Sequence, residues 1–162
     1  MRAALLTVST SRAHGDQQDE SGAALADFVA GLGLEVAAQE IVADDQWRII
    51  ARLRHFCDGL GADLVLTSGG TGLSPDDVTP EATRAVIERE APGIAEAMRA
   101  ASRPHTEHWM LSRGVAGTRG RSLIVNFPGS PKSIAECGEA LAPAIPHALA
   151  LLAGARPAHH RG

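Results

Sequence analysis

The chain has 162 residues, 44 % apolar and 21 % charged, with a formal net charge of −4 and no tyrosine. That length suits one compact domain burying roughly two-thirds of its unfolded surface, and no run of about 18 apolar residues is present to span a bilayer. An acidic balance with only 3 % aromatic residues argues against a nucleic-acid surface, which needs basic stripes and stacking rings.

Arg2 to Val8 reads as a first strand. It follows Met1 directly, without the long apolar core and small-residue cleavage site of a secretory leader, so a cytoplasmic setting is expected. A polar loop with Gly15 follows, and Asp19 to Ser21 open a helix carrying Leu25, Phe28, Val29 and Leu32 on one face. Gly31 and Gly33 end it. Glu35 to Val42 alternates as a second strand. Asp44-Asp45 then precede Trp47, Ile50, Leu53, Arg54 and Phe56 at helical spacing, closed by Gly59 and Gly61. Asp63 to Thr67 is short and nearly all apolar, as a central parallel strand buried on both faces would be.

Thr79-Pro80-Glu81 predicts a helix start, with a hydroxyl cap, proline at the first helical position and an acid in the first turn. Helices are expected to about Glu90 and from Pro92 to Ala101. Val115 to Thr118 and Arg121 to Asn126 either pair as a hairpin or form a connection followed by one strand, the second being the surer. Phe127 to Ser133 makes another strand-to-helix turn before a helical stretch from Ile134 to about Leu152, bent near Pro143 and Pro146.

Strands alternating with helices predict βαβ units: a single-domain α/β fold, residues 1–155, with a mostly parallel sheet covered on both faces. Residues 156–162 form a short polar tail, expected to fray rather than bind metal through His159 and His160. Cys57 and Cys137 are isolated in helix-like segments, which suits buried thiols better than a disulfide or zinc frame.

The segment Thr67-Ser68-Gly69-Gly70-Thr71-Gly72 carries the chemistry. Three glycines within four positions, at a strand's carboxyl end, let backbone N–H groups approach a phosphate without obstruction by Cβ. Asp77 follows where a carboxylate can hold Mg²⁺ against phosphates, while the adjoining Asp76 points elsewhere; the plainer alternative is that one of them only fixes the turn. Of Asp44 and Asp45, one is expected to cap the next helix and the other to face the same crevice. Pro128-Gly129-Ser130 with Lys132 and Ser133 offers hydroxyls, a helix start and a cation suited to a phosphate monoester. Ser9, Thr10, Ser11 and Arg12 extend the same rim.

Several classes fall away. The Gly-Lys-Ser/Thr ending of a Walker A loop and the Gly-x-Gly-x-x-Gly of dinucleotide folds are both absent, so a nicotinamide oxidoreductase is disfavoured. Ser130 lacks the strained Gly-x-Ser-x-Gly elbow of serine hydrolases. His105 and His108 have no third ligand spaced to join them.

The glycine loop with Asp77-Val78-Thr79-Pro80, the run Pro92-Gly93-Ile94-Ala95-Glu96-Ala97-Met98-Arg99, Leu111-Ser112-Arg113 and Pro128-Gly129-Ser130-Pro131-Lys132, in that order, resemble the MogA/MoaB proteins of molybdenum cofactor biosynthesis. The resemblance implies a three-layer α/β/α fold, commonly trimeric, that binds molybdopterin and ATP. It further implies transfer of AMP from Mg-ATP to the terminal phosphate of molybdopterin, with Mg²⁺ as cofactor and a downstream metal-insertion protein as a partner. A carrier module of the MoaB type, binding pterin without turnover, is the alternative. Asp44 and Asp77 match the family's two functionally important carboxylates, as catalytic and metal-binding residues. Thr67 to Gly72 match its nucleotide and pterin loop, and Ser130 to Ser133 its pterin-phosphate side. Thr10 stands where many relatives carry Asp, Ala43 replaces a frequent proline and Phe127 a common leucine or methionine.

Overall fold

A computed structural model describes residues 1–15 and 17–155; the expectations for the tail and its paired histidines lie outside the described residues. Six strands form one sheet in the order β2-β1-β3-β6-β5-β4. They are β1 (Arg2–Val8), β2 (Glu35–Val42), β3 (Leu64–Ser68), β4 (Arg89–Glu90), β5 (Ala116–Arg119) and β6 (Ser122–Phe127). The first four in spatial order are parallel, while β5 pairs antiparallel with both β6 and β4.

Among the described residues seven α-helices accompany them: α1 (Thr10–Ala13), α2 (Glu20–Gly31), α3 (Gln46–Arg54), α4 (Thr79–Arg84), α5 (Pro92–Ser102), α6 (Pro131–Leu141) and α7 (Ile145–Leu152). The two-residue period of the strands sorts the core into layers. Ala3, Leu5, Leu64, Leu66, Leu123 and Val125 face α2, α5, α6 and α7. Ala4, Leu6, Val8, Val65 and Ile124 face α3, α4 and the turn of π-helix His55–Gly59. The expected three layers and mostly parallel sheet are present. Cys57 and Cys137 are free buried thiols.

Some elements depart from the expectations. The helix after Thr79 ends at Arg84, and Arg89–Glu90 is a strand because Gly117 of β5 admits the backbone: a Cβ there would lie 2.6 Å from the Arg89 carbonyl oxygen. Residues 116–127 form the hairpin alternative, turning at Gly120 with φ +54°. The last helical stretch is two helices, α6 and α7, rather than one bent one. Trp47 and Arg54 lie on the solvent side of α3, Trp47 being 76 % exposed, and Ile49 joins Ile50 and Leu53 in the core instead.

The pairing register brings the carboxyl ends of four strands into line. Val8 pairs with Val42, Thr7 with Ser68, and Ser68 with Phe127. Backbone bonds continue past the strands, from Ser9 N–H to the Val42 carbonyl at 2.8 Å and from Gly69 N–H to that of Phe127 at 3.3 Å. From β1 the chain moves outward to β2, then returns to β3 on the other side. This reversal opens a crevice beyond the strand ends, where ligands of open α/β sheets bind.

Asn126, only 1 % exposed, locks this edge. Its Nδ2 donates to Thr67 Oγ1 at 3.0 Å and Thr83 Oγ1 at 2.9 Å, and its Oδ1 accepts from Val115 N–H at 3.2 Å. One amide thus joins β3, β6, α4 and the approach to β5. Asn126→Leu is expected to cost about 3 kcal/mol, since the buried Val115 N–H loses its acceptor. Urea unfolding checks this, and a loss below about 1 kcal/mol contradicts the lock.

Candidate active site

The glycine loop leaves β3 in a conformation that side chains resist. Gly69 and Gly70 have φ of +91° and +67°. A Cβ on Gly69 would stand 2.4 Å from the Val8 carbonyl oxygen, and one on Gly70 2.3 Å from Thr79 Oγ1. Both positions therefore need glycine for close approach as well as for φ. Thr79 does not cap α4 as expected; Val78 holds the cap position, and Thr79 Oγ1 donates to the Gly69 carbonyl at 2.9 Å. The backbone N–H groups of Gly70, Thr71 and Gly72 donate to no acceptor among the described residues. Successive free amides of this kind suit an anion.

The second turn lies against the first. An added Cβ on Gly129 would be 3.5 Å from Gly69 Cα. Ser130 caps α6, accepting from Ser133 N–H at 3.2 Å, and its hydroxyl donates to Ser133 Oγ at 2.7 Å. Pro128 is half-buried, and Gly129 and Ser130 are exposed. Lys132, the only lysine in the sequence, is 81 % exposed, with Nζ 4.0 Å from Glu136 Oε1.

Three carboxylates have distinct partners. Asp45 caps α3, accepting from Arg48 N–H at 2.9 Å, so Asp44 is the one turned to the rim. Asp44 Oδ2 accepts from the backbone N–H of Thr10 at 2.9 Å and from its hydroxyl at 2.8 Å. Ser9 sits beside this pair, capping α1. Asp77 folds back on its own loop, its Oδ2 accepting from Ser74 N–H at 3.0 Å, while Asp76 is exposed. The turn-fixing role foreseen as the plainer alternative is therefore present, and it uses one oxygen. Oδ1 of Asp44 and Oδ1 of Asp77 accept no hydrogen bond among the described residues. Mg²⁺ commonly takes one or two carboxylates and completes its shell with substrate phosphates and water. Asp44 and Asp77 each keep one oxygen of the kind such an ion takes; no group of three or more metal-grade side chains occurs among the described residues.

Thr67 and Ser68 need a correction. Both are fully buried, and Thr67 Oγ1 is bound to Asn126, so Thr67 belongs to the scaffold rather than to a contact surface. Ser68 Oγ is buried without a hydrogen-bond partner. Thr71 is 8 % exposed and offers its backbone rather than its side chain.

Arg113 has the largest role that residue patterning did not assign. Its backbone N–H donates to the Thr71 carbonyl at 2.8 Å, Nε to that of Gly72 at 2.8 Å, and Nη2 to that of Asp77 at 2.7 Å. Nη1 pairs with Glu81 of α4. Arg99 of α5 holds the residues on either side of Arg113, donating to the carbonyls of Ser112 and Gly114. Hydrogen bonding from Arg113 holds the Glu81 carboxyl below the usual carboxylate range. The only sequence signal was Leu111-Ser112-Arg113 among the resembling blocks; spacing could not join it to a loop about forty residues away.

With this geometry in view, comparison with known proteins is decisive. A family model described as "Probable molybdopterin binding domain" matches residues 4–147. The chain belongs to the MogA/MoaB family. A molybdopterin adenylyltransferase of Helicobacter pylori strain J99 is 42 % identical over 152 residues, covering 93 % of this chain and 86 % of the relative. One from Escherichia coli K12 is 38 % identical over 138 residues, 84 % of this chain and 71 % of that protein. Among solved structures of the MogA/MoaB family, the molybdopterin biosynthesis enzyme MoaB of Thermus thermophilus superposes with a TM-score of 0.89 at 50 % identity, over 95 % of this chain and 97 % of that one.

The Arg113–Glu81 pair gives this MogA/MoaB chain an acid dependence of known sign. A carboxylate whose folded-state pKa is lowered stabilises the fold above its unfolded value, and that contribution is lost as pH falls through the lowered one. Below about pH 5 the melting temperature of wild type should therefore fall more steeply than that of Glu81→Gln. Parallel curves in a thermal scan across pH would contradict the clamp.

Proposed function

We propose that the chain is a molybdopterin adenylyltransferase, moving AMP from Mg-ATP to the terminal phosphate of molybdopterin. The observation that carries the reading is the alignment of the glycine loop, the Asp44 rim and the Ser130–Ser133 turn at one sheet edge, in a chain 42 % identical to an enzyme of that name. In the reaction an oxygen of the pterin phosphate attacks the α-phosphorus of ATP. A phosphorus–oxygen bond forms, the α–β anhydride bond breaks, and pyrophosphate leaves with the electron pair.

Two polyanions repel by several kcal/mol at contact, for an effective dielectric of about 20, so the protein's work is neutralisation and positioning. The free amides of Gly70 to Gly72 hold phosphate oxygens of the nucleotide. Ser130, Ser133 and Lys132 receive the pterin phosphate at the start of α6. Asp44 and Asp77 are the residues that would hold Mg²⁺, which would supply charge neutralisation to the triphosphate. No general base is needed, because a phosphate nucleophile is already ionised near neutral pH. Rigid loops keep these groups in place before substrate arrives, which strengthens them as charge shifts toward the leaving group.

The direct assay mixes the protein with Mg-ATP and molybdopterin and follows pyrophosphate. Release dependent on molybdopterin supports the transferase; pterin binding without release supports the carrier alternative. Asp77→Asn should retain molybdopterin affinity within about threefold while losing about a hundredfold or more in transfer rate. Equal rates in the two proteins would reject the role given to Asp77.

A further inference from the structure

Arg12 stands on the rim after β1, and its guanidinium is only partly used. Nη1 donates to Ser21 Oγ at 3.1 Å, and that hydroxyl donates to the Gly129 carbonyl at 2.6 Å. The side chain thus reaches from the α1 rim toward the turn that begins α6. Nε is buried and has no hydrogen-bond partner. Nη2 makes no hydrogen bond among the described residues and, unlike Nε, is not sealed from solvent. No carboxylate among the described residues forms a salt bridge with Arg12.

Buried donors in folded proteins are normally matched, and leaving a charged group's donor unmatched is costly. Nη2, open to solvent and without a partner among the described residues, is the end of the guanidinium left to donate to a phosphate oxygen. Of the other cations on this side, Arg113 is committed to Glu81 and loop carbonyls, which leaves the exposed Lys132 at the start of α6 and Arg12 on the opposite rim as the positive groups open to an anion. An acidic chain that receives polyanions needs local positive charge.

We propose that Arg12 is a binding residue for a phosphate group of the substrate, its Nη2 end donating into the crevice between the Ser9–Thr10 rim and the Gly129–Ser133 turn. The proposal rests on the crevice being the substrate site. The phosphate belongs either to the nucleotide or to the pterin, and the link through Ser21 to Gly129 brings the arginine toward both loops.

Calorimetric titration of the whole chain with Mg-ATP and, separately, with molybdopterin, at low and high salt, distinguishes the two sources. Arg12→Gln should weaken one probe about tenfold or more and flatten the salt dependence for that probe. Arg12→Lys, with the charge but without the guanidinium that bonds Ser21 and presents Nη2 together, should fall between. A purely structural role would leave the salt dependence unchanged. Circular dichroism confirms folding, and if Arg12→Gln does not fold, the Arg12→Lys titration decides. Affinities within about twofold of wild type for both probes, with unchanged salt dependence, overturn the assignment of Arg12 alone. Failure of wild type to bind either probe overturns the crevice reading and Arg12 with it.

Discussion

Arg113 donates from its backbone to Thr71, from Nε to Gly72, and from its guanidinium tips to Asp77 and Glu81. One residue therefore spans the glycine loop and pins it to α4. A loop of this length has no ladder of its own, and each ordered residue costs about 1–2 kcal/mol of backbone entropy. Thr79 fastens the other side at the Gly69 carbonyl, and the Gly69 N–H reaches Phe127. With carbonyls turned inward to these donors, the amides of Gly70 to Gly72 are left for a ligand. Fixed amides need no reorientation when charge develops, so in the proposed reaction the clamp would serve the chemistry as well as the fold.

Negative charge is handled by the same economy of partners. The chain is acidic overall and the proposed substrates are polyanions, yet Asp44 and Asp77 are each tied by one oxygen. Asp44 is held by Thr10 and Asp77 by the Ser74 amide. Thr10 offers Asp44 a backbone amide and a neutral hydroxyl, so the rim is held in place by hydrogen bonds without adding charge.

Much of the fold was legible because the controlling rules are local. Apolar runs at Leu64 to Leu66, a cap from one of Asp44 and Asp45, and the proline-led start of α5 depend on near neighbours in sequence. The failures came where distant residues decided. Thr79 has every feature of a cap, but Gly69 claims its hydroxyl. Arg89–Glu90 continues a helix-like stretch until Gly117 lets it pair. Trp47 fits the apolar spacing of α3, yet the core takes Ile49. At the site, glycine density and strand position revealed the loop, whereas burial of Thr67 followed from Asn126, fifty-nine residues further on. The Arg113 clamp was illegible for the same reason, since a polar residue after a short turn carries no periodicity.

The central claim is that free loop amides and two aspartates that follow separate strands serve one bound nucleotide. A crystal structure of the protein with Mg²⁺ and a non-hydrolysable ATP analogue tests it most directly. The account predicts phosphate oxygens on the amides of Gly70 to Gly72 and a single cation touching both Asp44 and Asp77. A nucleotide seated away from the glycine loop, or a cation reaching neither aspartate, would contradict it.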